Sequence, residues 1–428
     1  MSRKSSYFLF FILVGLLFNQ NTIAQTKSYF LVPDRVFDGV ELKEGWAMLT
    51  EGNIIIEVGE RSKVSKNPKV TKAEKVNLKG MTLMPGMIEG HSHLFLYPYN
   101  LGNWNDQVLK ESSALRVARA TVHAKANLMA GFTTLRDLGT EGSGYDDVGL
   151  KQAIDQGVIP GPRLLIATRA IVATGSYGPK GFASHVRVPL GAEEADGVDD
   201  ITKVVRRQIG KGADLIKVYA DYRWGPNKEA RPTFTLEELK LMVQLTQSSG
   251  RGVVAHAATV EGMRRATLAG VETIEHGDAG TPEVFRLMKQ KGVALCPTLA
   301  AGDAIMQYRG WKKGVDPDPE RIVRKKQSFK QALDAGVTIV FGGDVGVFAH
   351  GDNARELEMM VEYGMKPIDV LRSATSVNAR VFHLENKLGK LKKGLLADII
   401  AVKGNPVKNI KNVRQVGLVM KDGVIYKK

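Results

Sequence analysis

The sequence predicts an α/β protein: a (β/α)8 TIM barrel carrying a small β-sandwich domain assembled from both chain ends. Three observations predict it. Eight short apolar segments between Thr82 and Asp344 alternate with helix-patterned stretches, which is the count and spacing of such a barrel. Strand-and-turn patterns crowd residues 28–84 and return from about Gly389 onward. Histidines, a lysine and an aspartate recur where the apolar segments end, and barrels of this kind collect their chemistry at strand C-termini.

The chain has 428 residues, 43% hydrophobic and 25% charged, enough for one large core and one smaller one. The expected units are a leader (residues 1–24), the first part of the β domain (25–84), the barrel (85–385) and the second part of the β domain (386–428). The leader reads Met1-Ser2-Arg3-Lys4, an apolar run from Tyr7 to Phe18, polar Asn19-Gln20-Asn21 and small-ended Thr22-Ile23-Ala24. A basic start, an apolar run too short to span a bilayer comfortably and a small residue at the end predict a signal peptide cut after Ala24. The protein is therefore expected to be exported, periplasmic or secreted, with no stable membrane anchor after processing. An intact mass from the native host beginning at Met1 would contradict this.

Cys296 is the only cysteine, so no intramolecular disulfide can form. The formal charge is +15, and removal of Arg3 and Lys4 with the leader leaves +13. The basic residues are scattered and lack interleaved aromatics, which argues for small anionic ligands and against nucleic acid. Composition leaves a homo-oligomer open.

In order, Ala47–Leu49 and Ile54–Ile56 flank the turn Glu51-Gly52-Asn53 as a hairpin. The eight barrel strands are expected at Thr82–Met84, Thr133–Asp137, Arg163–Ile171, Asp214–Ala220, Val253–His256, Thr273–His276, Ala294–Thr298 and Thr338–Asp344. Helices are expected over Ser113–Ala130, Thr235–Ser249, Thr281–Lys291 and Glu320–Ala335. Thr235 serves as an N-cap before first-turn acids, and Gly250 and Gly336 as C-terminal glycines. Ala173–Asp199, rich in Gly, Ser and Pro, is expected to loop over the barrel mouth. Ala397–Val402 and Val416–Met420 are apolar strands, and Lys421-Asp422-Gly423 turns the chain into Val424–Tyr426.

The chemistry begins at Pro85-Gly86-Met87-Ile88-Glu89-Gly90-His91-Ser92-His93. Alternation on an extended segment points His91 and His93 to the same side, and two neutral imidazoles there suit a divalent metal such as zinc. Lys217 lies within the fourth strand, His256 and His276 close the fifth and sixth, and Asp344 closes the eighth. Tyr219 shares the inward face of the fourth strand with Lys217. Tyr222 and Arg223, in the loop beyond, suit a bidentate grip on a substrate carboxylate. His350, in the loop after the eighth strand, is a further substrate-binding candidate. His123 and His383 fall in helical patterns away from any strand end and read as structural.

These motifs resemble the amidohydrolase superfamily, within it the exported imidazolonepropionase-like and Xaa-Pro dipeptidase-like branch. The residues that carry the resemblance are the Pro85–His93 run, Gly212–Lys217, Val254-Ala255-His256-Ala257, Ile274-Glu275-His276-Gly277, Gly343-Asp344-Val345-Gly346, His350-Gly351 and Gly394–Ile400. It covers about residues 28–426. It implies two divalent metals, zinc being the expected ion. His91, His93 and Asp344 would hold one and His256 and His276 the other. CO2 would form a carbamate on Lys217 to bridge them. The implied activity is hydrolysis of C–N amide or peptide bonds in dipeptides or N-acyl amino acids, by an activated metal-bridging water. Asp344 would act as general base and then general acid.

One departure stands out. Relatives often carry Gly-Gly-His-Gly after the third strand, where this chain has Gly175-Ser176-Tyr177-Gly178 with His185 further on. Two other readings compete. A cyclic-amide hydrolase or deaminase of the same superfamily, imidazolonepropionase-like and mononuclear, does not need Lys217. A non-catalytic exported binding protein does not need Asp344.

Overall fold

The computed structural model describes residues 27–428, so the leader expected at residues 1–24 lies outside the described residues. The chain opens with β1 (Ser28–Phe37), β2 (Leu42–Glu44), β3 (Trp46–Glu51), β4 (Ile54–Glu60) and β5 (Glu74–Pro85). It then passes into β6 (Met87–Ser92), β7 (Phe132–Asp137), β8 (Arg163–Ile166), β9 (Ile171–Val172), β10 (Glu193–Glu194) and β11 (Ile216–Tyr219). A short ribbon, β12 (Asp221–Arg223) with β13 (Ala230–Pro232), precedes β14 (Val253–Ala257), β15 (Thr273–His276) and β16 (Ala294–Cys296). The chain ends with β17 (Ile399–Lys403), β18 (Val416–Lys421) and β19 (Val424–Lys427).

Both chain ends build one eight-stranded sheet in the order β19-β18-β17-β5-β1-β3-β4, with β2 on β1. Strand alternation gives it two apolar faces. Leu31, Met48, Val76 and Ile399 fill one, and Phe30, Ala47, Leu49 and Val64 the other. The β3–β4 hairpin turns where Glu51-Gly52-Asn53 was expected to turn it.

The other strands form parallel sheets, β6-β7-β8 and β10-β9-β11-β14-β15-β16. Thr338–Val345 runs between them. Ile339 bridges to Leu295 on one side and Val345 to Ser92 on the other, both in parallel. At the opposite margin the Asp214 amide donates to the Ile166 carbonyl at 2.8 Å. Helices interleave with these strands. Leu236–Gln247 begins with a capping box between Thr235 and Glu238, and Glu320–Ala335 ends on Gly336 in the left-handed region.

Two strand expectations are corrected. Thr82–Met84 belongs to β5 of the terminal sheet, pairing with β1 and β17. The first parallel strand is instead β6, which carries His91 itself. Pro85-Gly86 separates the two: a Cβ on Gly86 would lie 2.1 Å from the Thr133 hydroxyl oxygen, so only glycine lets β6 turn in against β7. Arg163–Ile171 is broken into β8 and β9 by Thr168, which takes a positive φ of 61°.

Candidate active site

The C-terminal ends of the parallel strands converge on one cavity lined by His91, His93, His256, His276 and Asp344. Register explains the meeting. Tyr219 on β11 lies beside His256 on β14, and Ala257 beside His276 on β15. From the other sheet, the His93 amide donates to the Val345 carbonyl at 2.8 Å and the Asp344 amide to the His91 carbonyl at 2.9 Å. That approach requires bare backbone, since a Cβ on Gly342 would lie 2.7 Å from the His91 nitrogen.

Three of the four imidazoles are oriented by a partner behind the ring. His91 Nδ1 lies 2.8 Å from Glu275 Oε2, His93 Nδ1 2.9 Å from the Gly139 carbonyl, and His276 Nδ1 2.8 Å from the Thr298 hydroxyl. With Nδ1 donating to those acceptors, His91 and His93 turn Nε2 toward Asp344 Oδ1, at 3.6 and 3.4 Å. Burial drives the His91 and His276 pKa values well below the usual range and His256 to about 3, so all three are neutral and offer lone pairs.

Behind His91 sits a buried relay. Glu275 Oε1 takes Arg136 at 2.8 Å and the Thr273 hydroxyl, and Arg136 also donates to the Gly90 carbonyl. Glu275→Gln should strand the Arg136 cation and release His91. The expected cost is about 3–5 kcal/mol of stability and roughly 10–100-fold in metal affinity. Denaturant unfolding and metal titration check it, and an unchanged affinity would dismiss the orienting role.

Lys217 lies beneath the cavity, 1% exposed, its Nζ 5.7 Å from the Tyr219 ring centre. Among the described residues it forms no ion pair, and the Asp344 carboxylate faces His91 and His93 instead. Burial pulls its pKa down, against the attraction of Glu275 and Asp344. Asp344 Oδ1 is likewise buried with no hydrogen-bond donor. Neutral imidazoles and an orphaned carboxylate oxygen are a donor set that fits a divalent metal ion. His91, His276 and Asp344 place ligand atoms within 4.8 Å of one another. His91, Glu275 and Cys296 also do so, but both Glu275 oxygens are already committed to the relay.

The predicted substrate residues divide. Tyr219, Tyr222 and Arg223 line the cavity, with Tyr219 stacked on His256 at 4.5 Å. His350 is corrected: it does not line the cavity. It stacks on His123 at 4.1 Å, with Asn127 on Nδ1 and the Leu96 carbonyl on Nε2, so its capacity is spent in packing. His185 is exposed in the insert, and Tyr177 occupies the mouth instead, donating to Glu141 Oε2 at 2.7 Å. His383 pairs with Glu272 on the surface.

The sequence reading missed Tyr99, Glu141, Asp278, Thr298, Arg321 and Lys325, all of which line the cavity. Lys325 Nζ bonds Asp278 and the His276 carbonyl, both at 2.6 Å, with Arg321 3.7 Å from the same carboxylate. Glu141, His276, Thr298 and Asp344 share another property: φ values of 50°, 76°, 49° and 62°, a region that side-chain-bearing residues rarely enter. Strain of that kind gathers where tertiary contacts override local preference.

Residues 82–426 match the profile of the Amidohydrolase family. The chain is 29% identical over 426 residues to the ochratoxinase of Aspergillus niger, covering 91% of this chain and 84% of that protein. Its structure superposes on a Xaa-Pro dipeptidase with methionine bound in the active site at a TM-score of 0.83, with 30% identity over 94% of this chain and 100% of that one. A prolidase complexed with N-methylphosphonate-L-proline gives 0.81 at 27% identity, over 94% and 100%. The A. niger ochratoxinase structure gives 0.79 at 28%, over 94% and 96%.

Proposed function

The chain belongs to the amidohydrolase family, and from that premise we propose that it is a binuclear metal-dependent hydrolase of amide bonds in dipeptides or N-acyl amino acids. The observation that carries the proposal is the buried, unpaired Lys217 amine beneath four histidines and an unpartnered Asp344 oxygen. A family of amide hydrolases that includes a Xaa-Pro dipeptidase and an ochratoxinase among its similar structures supports the same chemistry. We read the two parallel sheets as one closed (β/α)8 barrel of about residues 85–385, a reading supported by the bridges at Ile339 and Val345.

His91, His93 and Asp344 would hold one divalent ion, His256 and His276 the second, with zinc favoured by the nitrogen-rich set. Burial lowers the Lys217 pKa and so favours the free amine that adds CO2, and the carbamate would supply an anionic oxygen ligand for the ions. When bound, such ions polarise a carbonyl and acidify water. The chain's residues do the rest. Asp344 Oδ1, free of other donors, accepts the proton of the attacking water and returns it to the departing amine. Burial keeps the Tyr219 phenol protonated, so its hydroxyl is available to donate to a substrate oxygen. The Tyr177 hydroxyl is committed to Glu141 and shapes the mouth.

Arg223, with Tyr222, is proposed to bind the free carboxylate beside the scissile amide. Metal analysis together with turnover on a dipeptide library tests the main reading. Paired acid and C-terminal amide forms of the best substrate test the carboxylate. kcat/KM for the amide should be lower by at least about tenfold, the loss of roughly 1.4 kcal/mol. Equal values would falsify carboxylate recognition and leave the hydrolase standing.

A further inference from the structure

The cavity opens outward into a second chamber of about 750 Å³, and Tyr99, Tyr177, Tyr222 and Arg223 line both. Its lining contains no aspartate or glutamate. It holds Lys180, Arg223, Lys228 and Arg309, and six aromatic rings, among them Trp104, Trp224 and Tyr308.

The four cations come from three segments. Lys180 belongs to the insert, Arg223 and Lys228 to the β12–β13 ribbon, and Arg309 follows the helix Leu299–Tyr308. Among the described residues none of the four pairs with a carboxylate, and the Lys180 ammonium meets only the Gly175 carbonyl, at 3.2 Å. Neighbouring Arg231, by contrast, is paired with Glu229 at 2.8 Å. Charges of one sign held around a shared hollow repel one another and favour an anion within it.

The rings supply the other half of the recognition. The Trp104 indole N–H is fixed by Glu141 Oε2 at 2.9 Å, and its ring meets Tyr177 edge-on at 5.3 Å. Trp224 is 47% exposed, a large apolar face left open to solvent at the rim. Rigid aromatic faces beside unneutralised guanidinium and ammonium groups suit a planar aromatic ring that carries its own negative charge.

We infer that this outer chamber is a second substrate subsite for an aromatic anion: an aryl group bearing a carboxylate, sulfonate or acidic phenol, projecting past Arg223 from the scissile amide. The inference rests on reading the inner cavity as the amide-hydrolysing site. Arg223 serves the carboxylate near the amide, while Lys180, Lys228 and Arg309 face the distal charge.

The test uses the metal-loaded full-length enzyme and three probes: naphthalene-2-sulfonate, 2-naphthylmethylammonium and methanesulfonate. Calorimetry reads binding directly and needs no turnover. The aryl sulfonate should bind at least tenfold tighter than the aryl ammonium and than the non-aromatic sulfonate. Lys228→Glu with Arg309→Glu, both at exposed positions, should weaken it at least tenfold, and Trp224→Ala severalfold. The aryl sulfonate should also compete with substrate. Equal binding of the ammonium, or affinity untouched by either variant, would overturn the subsite. Binding as expected with no amide turned over would remove the hydrolase reading and leave an aromatic-anion site. Turnover without selective binding would do the reverse.

Discussion

Lys217→Met is expected to lower the metal content from about two ions per chain to one or none. kcat/KM should fall on the order of a thousandfold, the scale of losing one preorganised electrostatic group. Methionine keeps most of the volume, so the effect does not arise from a cavity. The metal-free protein should move the other way. Lys217 is 1% exposed and forms no ion pair among the described residues. Replacing it by an apolar side chain removes a desolvated polar group and leaves no partner stranded, so the metal-free variant should unfold at an equal or higher denaturant midpoint. Elemental analysis and unfolding with and without metal separate the two effects. A variant that keeps two ions and full turnover would show that Lys217 is no ligand. Carbon-13 bicarbonate gives an independent reading, because a carbamate signal should appear in the metal-loaded native chain and vanish in the variant.

Asp344→Asn is expected to cut kcat by about 10²–10⁴-fold, the usual contribution of a positioned acid–base group, while KM changes little. The amide matches the carboxylate in shape, but it cannot take a proton at neutral pH. It also brings an N–H₂ donor toward the Nε2 atoms of His91 and His93, which stand 3.6 and 3.4 Å from Oδ1. The folded structure should survive, since the Asp344 backbone is held by the His91 carbonyl at 2.9 Å. Pre-steady-state measurement on an activated ester and on the matching amide distinguishes the roles. The amide, which needs a proton delivered to its leaving nitrogen, should suffer more. Equal losses on both substrates would reduce Asp344 to a ligand, and native kcat would dismiss it altogether.

The histidines and Lys217 were legible in the sequence because strand periodicity is local. Lys217 and Tyr219 share a face on β11 as period-two alternation requires, and both are buried there. Helix caps such as Thr235 with Glu238, and the turn at Glu51–Asn53, were legible for the same reason: each is closed by residues within four positions. The assignment of Thr82–Met84 to the barrel failed because an apolar strand does not announce which sheet it joins. The close approach of Gly86 to Thr133, 47 positions away, decided it.

The chain's own pattern therefore determined the α/β class, the strand ends at His256 and His276 and the metal-ligand candidates, all of which follow from short-range periodicity and side-chain chemistry. Only the tertiary structure decided the walls around them. Glu141, Asp278, Arg321 and Lys325 come from loops and from a helix face with no period that marks a site, and they meet the histidines only where the strands converge. His350 was excluded for the same reason in reverse: its neighbours His123, Asn127 and Leu96 lie more than two hundred residues back along the chain, and no local signal records that they use up its ring.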